Sequence, residues 1–332
     1  MKMKSILETS AADCHPASVP DYIPLPELRA LQLQRVQAVV ARAWDHVELF
    51  RARMDERGLV PEDIHSLDDI AKLPFTVKSD LRDTYPFGLF ASPMKDVVRL
   101  HVSSGTTGKP IVVAYTKEDV DVWSSVLVRC FAGCGLHRGD IVQVAYGYGL
   151  FTGGHADRQI MLMKDFGVTA MCCTPTYFLH LIDRAAELGV EMKDLPLRVG
   201  VFGAEPWTES MRQHIEAMSS IEAFDIYGLS EIIGPGVGCE CRLHQGLHIF
   251  EDHFYPEIID PDSGAPVPDG SEGELVLSTL SKQAMPMIRY RTRDITTILP
   301  GQCECGRTLR RIGRIGRRSD DMMIIRGVNI FP

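Results

Sequence analysis

Eight consecutive residues, Ser103-Ser104-Gly105-Thr106-Thr107-Gly108-Lys109-Pro110, gather hydroxyls, two glycines and one ammonium between two strand-like runs. Glycines let a backbone turn tightly and offer its N–H groups to an anion, and the hydroxyls with Lys109 complete a cradle suited to phosphate. The spacing is not that of a Walker loop, which needs four residues between its glycines and Ser or Thr after its lysine. Here two residues separate the glycines, and Pro110 follows Lys109. For a bare Gly-Thr-Thr-Gly the alternative is a polar hairpin turn. A second group sets Cys239-x-Cys241, His244 and His248 against Cys303-x-Cys305. Paired thiolates with imidazole suit a tetrahedral Zn²⁺ site, and Cys241, His248, Cys303 and Cys305 are the expected ligands. Because C-x-C is tighter than the usual zinc-ribbon pair, unligated thiols are the alternative.

The elements that must position these groups change in texture along the chain. Leu28, Leu31, Val36, Val39, Val40, Ala43, Val47, Phe50 and Met54 recur mostly three and four apart, which predicts one long amphipathic helix over Pro26–Arg57 ended by Gly58. From Asp96 onward, short apolar runs alternate with helical segments. Strands are predicted at Val97–Val102, Ile111–Tyr115, Ile141–Ala145, Ala170–Cys173 and Val199–Phe202, as in a sheet covered on both faces. Helices are predicted at Lys117–Cys134 with Thr116 as N-cap, and at Asp157–Phe166, Tyr177–Leu188 and Thr208–Met218. After Ile232 strand-like runs dominate, separated by turn signals such as Pro268-Asp269-Gly270. An α/β body followed by a mostly β part is the expectation.

With 332 residues the chain has room for about two domains. Its formal net charge of −9 argues against a general nucleic-acid binder, which needs excess cations to displace counterions. One basic run, Arg307, Arg310, Arg311, Arg314, Arg317 and Arg318, alternates with Leu309, Ile312 and Ile315, as on a half-exposed strand. The first 20 residues lack the apolar core of a signal peptide, and no apolar run reaches the ~20 residues of a membrane span. A soluble, reducing, cytoplasmic setting is the default. It disfavours disulfides and makes Cys130, Cys134, Cys172 and Cys173 small buried hydrophobes.

The eight-residue string resembles the phosphate-binding signature of the adenylate-forming superfamily, and the resemblance runs along nearly the whole chain. Tyr227-Gly228-Leu229-Ser230-Glu231 resembles its second signature, Tyr290-Arg291-Thr292-Arg293-Asp294 its third, and Gly316 to Asp321 with Ile325 to Asn329 its hinge. Tyr146 to Gly154, His248 to His253 and Arg326 to Pro332 look like the versions found in phenylacetate–coenzyme A ligases. The resemblance implies the large α/β domain of that fold over residues 1–316, its β-rich part at about 233–316, and a hinge opening a further domain at 317–332. It implies ATP-dependent activation of an aryl-carboxylic acid, phenylacetate favoured, to an acyl-adenylate and then a coenzyme A thioester.

Roles follow motif by motif. Thr106, Thr107 and Lys109, with Ser103, Ser104, Gly105 and Gly108, match the grip on the β- and γ-phosphates. Glu231 matches the Mg²⁺ carboxylate, the alternative being a solvated loop acid. Gly203-Ala204-Glu205-Pro206 and Tyr227 match the surroundings of adenine, with Asp225, Gly228 and Ser230 alongside. Asp294 matches the ribose acid, Arg318 the arginine before the hinge, and Asp320 the hinge. Tyr146, Tyr148 and Phe151 are expected to wall the acyl group; the plainer reading is core aromatics beside a glycine turn.

Two departures qualify the resemblance. The family continues roughly another hundred residues past Pro332 and there carries a lysine that contacts the reacting groups, so no residue here is assigned that role. Between Gly154 and His155 the family has a further helix and strand of ~25 residues. Residues omitted from the sequence explain this better than a lost interior strand, which would leave a hole in the sheet. The chain is accordingly expected to bind ATP weakly and adenylate poorly without the further domain. The competing readings are an adenylating enzyme for another acid or acceptor, and a non-catalytic, zinc-stabilised nucleotide-binding module. A homodimer is left open.

Overall fold

The computed structural model describes residues 15–103, 110–146 and 156–320, and beyond them the backbone of two short strands. The predicted long helix is two helices, α1 (Leu25–His46) and α2 (Glu48–Asp55). The break falls at Val47, which takes an extended conformation (φ −115°, ψ 100°) while its N–H still bonds Ala43 O. The apolar periodicity runs through the break because Val47, Phe50 and Met54 are buried with Leu28, Val36 and Val40. A β-branched residue gives up a helical turn more readily than Leu or Ala does. Helix α3 (Lys78–Asp83) is tied to α2 by the bidentate Arg53–Asp80 pair, both bonds 2.7 Å.

Strands β1 (Arg99–Ser103) and β2 (Ile111–Tyr115) pair antiparallel, with Ser103 opposite Ile111. Helix α4 (Lys117–Gly133) follows; Thr116 Oγ1 accepts from Asp119 N–H and Asp119 Oδ2 from Thr116 N–H, a capping box. Next come β3 (Val142–Val144), α5 (Ala156–Asp165), β4 (Ala170–Cys173), α6 (Pro175–Glu187), β5 (Val199–Gly203), α7 (Glu209–Ser219) and β6 (Glu222–Leu229). Pro175 opens α6 behind its N-cap Thr174, where its missing N–H costs nothing.

Strands β3 to β6 are parallel neighbours, and their residues alternate between the two faces. Ala170, Cys172, Val199, Val201, Phe224 and Ile226 face the larger core, which includes α1 and α4. Met171, Cys173, Phe202 and Ala223 face a second core with α5, α6 and α7. Cys130, Cys134, Cys172 and Cys173 are buried within these cores, as expected for small hydrophobes.

The strands after Ile232 divide between two sheets. β7 (Gly234–Glu240), β8 (Leu247–Ile249), β12 (Ile298–Leu299) and β13 (Arg311–Ile312) extend the β3–β6 sheet, in the order β12-β13-β8-β7-β6-β5-β4-β3. A four-stranded sheet is formed by β9 (Phe254–Ile259), β10 (Gly273–Thr279), β11 (Tyr290–Thr296) and β14 (Arg317–Arg318), in the order β14-β11-β10-β9. β3 pairs directly with β4 and ends the larger sheet among the described residues. Ile141 and Val144 at that edge are 46% and 47% exposed. Strands β15 (Met323–Ile325) and β16 (Val328–Ile330) form a short pair. No described helix is long and apolar enough to cross a membrane.

The basic run is spent on internal partners. Arg307 meets Asp21, Arg310 meets Glu251, Arg314 meets Glu209 and Asp225, Arg317 meets Glu272, and Arg318 meets Asp294. Arg311 donates to the carbonyls of Gln245 and Gly301. Cations so occupied offer no stripe to a phosphate backbone.

Candidate active site

Parallel strands leave their carboxyl ends at one edge of a sheet, where an α/β fold places ligands. β5 ends there in Gly203-Ala204-Glu205-Pro206 and β6 in Tyr227-Gly228-Leu229-Ser230-Glu231. Both glycines are demanded by backbone approach. A Cβ on Gly203 would lie 2.3 Å from Ile226 O, and one on Gly228 would lie 1.9 Å from Gly234 O. Ala204 takes φ +68°, strain that a residue beside a ligand site commonly carries. The Glu205 carboxylate accepts the Thr176 N–H at 2.7 Å, so it holds this loop to the first turn of α6.

Four residues from three separate motifs meet in one chain of hydrogen bonds. Tyr227 donates its hydroxyl to Asp294 Oδ2 at 2.6 Å, and Arg318 donates to Asp294 Oδ1 at 2.6 Å. Arg318 also grips Asp320 through two donors, at 2.8 and 3.1 Å. Burial raises the Asp294 carboxyl above its usual range, opposed by the Arg318 charge and the Tyr227 hydroxyl. Two carboxylates thus share one guanidinium.

Beside this group, the turn carrying Glu231 is held from three sides. Tyr115 places its hydroxyl 3.2 Å from the Ser230 and Ile233 carbonyls. The Lys282 ammonium, 3% exposed, donates to Glu231 O at 2.8 Å. Tyr290 donates to Glu231 Oε1 at 3.3 Å, and Glu231 Oε2 has no donor among the described residues. Burial pulls Lys282 down to about 7 against the charges of Asp119 and Glu231. Asp119 fixes the lysine's segment by accepting the N–H groups of Gln283 (2.6 Å) and Ala284 (2.9 Å). Tyr115 in turn stacks on Trp123 (5.4 Å) and against His101 (4.9 Å) of β1. One aromatic set therefore braces both the β1–β2 stem and the Glu231 turn.

Ser103 ends β1; residues 104–109, with Ser104, Gly105, Thr106, Thr107, Gly108 and Lys109, lie outside the described residues, as do Tyr148 and Phe151. Tyr146 is described, and its hydroxyl donates to Val201 O at 3.3 Å. Asp225 is not brought to the Tyr227–Asp294 group. Its carboxylate lies 3.7 Å from Arg314, its N–H bonds Glu240, and burial together with the Glu240 charge pushes it up to about 7. Sequence reasoning passed over Tyr115 and Lys282. The only signal was a lone lysine between the apolar runs Leu275–Leu280 and Ala284–Ile288.

Cys241, His248, Cys303 and Cys305 converge away from this group, with one donor atom from each within 4.8 Å of the others. The spacing fits a tetrahedral thiolate–imidazole site.

Comparison with known proteins agrees with this geometry. Residues 147–286 match the AMP-binding enzyme family. The phenylacetate–coenzyme A ligase of Aromatoleum evansii is 51% identical over 92% of this chain and 74% of its own length. That of Escherichia coli (strain K12) is 49% identical over the same shares. A crystal structure of 2-hydroxyisobutyryl-CoA ligase, in complex with 2-HIB-AMP and CoA in the thioesterification state, superposes with a TM-score of 0.89 at 27% identity, covering 94% of this chain and 72% of that one. At this level of identity over most of its length, the chain belongs to the phenylacetate–coenzyme A ligase family of adenylate-forming enzymes.

Proposed function

We propose that this chain carries the ATP- and acid-binding site of an enzyme that activates phenylacetate with Mg·ATP, forming phenylacetyl-adenylate and pyrophosphate, and then transfers the acyl group to the thiol of coenzyme A. The observation that carries the reading is the meeting of Tyr227, Asp294, Arg318 and Asp320, drawn from motifs far apart in sequence. Asp294 accepts the ribose hydroxyls, and Tyr227 with Gly203–Pro206 borders adenine. Arg318 steadies Asp294 while it reaches Asp320 at the hinge.

Glu231 is the Mg²⁺ carboxylate, since its Oε2 has no donor among the described residues and oxygen donors suit that cation. When bound, the ion offsets charge gathering on the phosphate oxygens as the substrate carboxylate displaces pyrophosphate at the α-phosphorus. Fixed N–H and ammonium groups do such work without reorganising, and the Ser103–Lys109 sequence supplies backbone N–H groups, hydroxyls and an ammonium for it. Tyr146, Tyr148 and Phe151 wall the aryl group, and Tyr146 is anchored to β5 for that purpose. The same reading assigns a structural Zn²⁺ to Cys241, His248, Cys303 and Cys305, and a cytoplasmic setting where ATP and coenzyme A are at hand.

The test is acid-dependent AMP and thioester formation across phenylacetate, benzoate, indoleacetate and fatty acids. Phenylacetate is expected to give the highest kcat/KM, and Glu231→Gln to lower the rate roughly 10²–10³-fold. A preference for a fatty acid, or AMP formed without thioester, would overturn the substrate or the acceptor.

A further inference from the structure

The cysteine–histidine corner lies outside the adenylation chemistry, yet the fold joins it to a segment far away in sequence. Cys241 follows β7, His248 is the middle residue of β8, and Cys303 and Cys305 lie in the loop between β12 and β13. These strands are neighbours in the larger sheet. Cys241 Sγ lies 3.9 Å from Cys303 Sγ, and His248 Nε2 lies 3.5 Å from Cys305 Sγ. His248 Nδ1 is buried without a hydrogen-bond partner, so the ring is held only from the side that faces the thiols. Cys241, His248 and Cys303 are buried, and such soft, closed donors suit Zn²⁺ and exclude the hard cations of phosphate chemistry.

A dication with three thiolates and a neutral imidazole carries net negative charge, and the structure supplies its counter-charge. Arg307 donates to Cys305 Sγ at 3.6 Å and, through Nε, to Asp21 Oδ2 at 3.0 Å. Its neighbour Thr308 donates its N–H to Asp21 O at 2.9 Å and its hydroxyl to Ile23 O at 2.7 Å. Asp21 is the penultimate residue of the short 3₁₀ segment Pro16–Tyr22 and is fully buried, its other oxygen taken by Arg129 at 2.8 Å. Four consecutive residues thus turn from donor cluster to N-terminal segment: Cys305 faces the cluster, while Arg307 and Thr308 hold the segment.

We propose that the zinc ion is the pin of a clasp. Bound by Cys241, His248, Cys303 and Cys305, it sets the 303–308 loop so that Arg307 and Thr308 lock Pro16–Ile23 onto the body. Partners of this kind around a metal orient its ligands and are themselves oriented by it. The clasp rests on reading the four residues as a metal site, and the two claims fail separately.

The experiment takes the full chain, purified without added metal. Elemental analysis is expected to find about one zinc per chain, lost in Cys303→Ser. Exchange of Co²⁺ for zinc should give the thiolate-to-cobalt charge-transfer bands of a sulfur-rich tetrahedral site. Absence of bound metal, with the thiols of Cys241, Cys303 and Cys305 freely reactive in the native protein or a disulfide seen by mass, would overturn the metal site and the clasp with it. Amide exchange reads the second claim. Removing zinc by chelation, and separately Arg307→Met with zinc retained, should each speed exchange over Pro16–Ile23 roughly tenfold or more while β4 and β5 stay protected. Zinc present, with that segment equally protected in both cases, would sink the clasp and leave the metal site standing. Should Arg307→Met fail to fold, the chelation arm alone decides.

Discussion

Two buried arginine–aspartate assemblies have the same chemistry and different finish. Around Asp21, Arg129 and Arg307 face Asp21 and Asp252 with side chains from 0% to 11% exposed, and Arg35, 30% exposed, approaches Asp252 from the rim at 4.0 Å, so every buried carboxylate is matched by a cation. Around Asp294, one cation faces two carboxylates, Arg318 between Asp294 and Asp320, and exposure rises from 10% at Asp294 to 29% at Asp320. Balanced, dry charge holds elements together, because each buried ion has its partner. The second assembly keeps surplus acceptor capacity at the edge of the sheet where ligands bind, and it includes the residue expected to be the hinge. A surplus that a structure tolerates near solvent suits a place that receives donors, which on the proposed reading are the ribose hydroxyls.

The comparison can be broken at its strong end first. Arg129→Met leaves two buried carboxylates short of a partner and should cost about 3–5 kcal/mol of stability by urea unfolding. A loss under about 1 kcal/mol would show that this network is not what binds the 3₁₀ segment Pro16–Tyr22 to the body.

Asp294→Asn should act on the ligand instead. ATP affinity is expected to fall by roughly tenfold to a hundredfold, the worth of charge-assisted hydrogen bonds of about 1.5–3 kcal/mol, while the unfolding free energy moves little. A variant that unfolds as readily as Arg129→Met would erase the distinction.

Asp225 sharpens the comparison through pH. Burial and Glu240 raise its folded-state value to about 7, above the ordinary value of 3.8, so between those limits the folded protein holds a proton that the unfolded chain releases. Its contribution is therefore present at low pH and lost as pH rises through about 7, with a slope of at most about 1.4 kcal/mol per pH unit. Asp225→Asn should flatten unfolding free energy measured between pH 5 and 7; an unchanged slope would contradict the assignment.

The smallest effect is expected from Lys282→Met, which frees the Glu231 carbonyl. It should raise the Mg²⁺ concentration for half-maximal activity severalfold, consistent with a hydrogen bond worth about 1 kcal/mol, and leave coenzyme A saturation unchanged.

The parallel strands and the helix behind Thr116 were legible because short apolar runs and an N-cap such as Thr116 act locally. The break at Val47 was not, because the hydrophobic rhythm continues across it and only the packing of two helices, not the spacing, requires a kink. The division of the later strands between two sheets was also hidden, since β8 pairs not only with nearby β7 but with β13, some sixty positions further on. In the site, Asp294 and Arg318 could be named from their motifs, but their 2.6 Å bond could not. Glu205 shows the reverse: its place in a loop was readable, and its hold on Thr176 N–H belongs to tertiary structure. The basic run looked like a surface feature until folding supplied each arginine with an internal partner.

The most direct test is a crystal structure of the protein with Mg·ATP or a phenylacetyl-adenylate analogue. The account predicts ribose hydroxyls on Asp294, adenine between Tyr227 and Gly203–Pro206, phosphates against residues of Ser103–Lys109, and magnesium on Glu231. A nucleotide seated elsewhere, with Asp294 still bonded only to Tyr227 and Arg318, would contradict it.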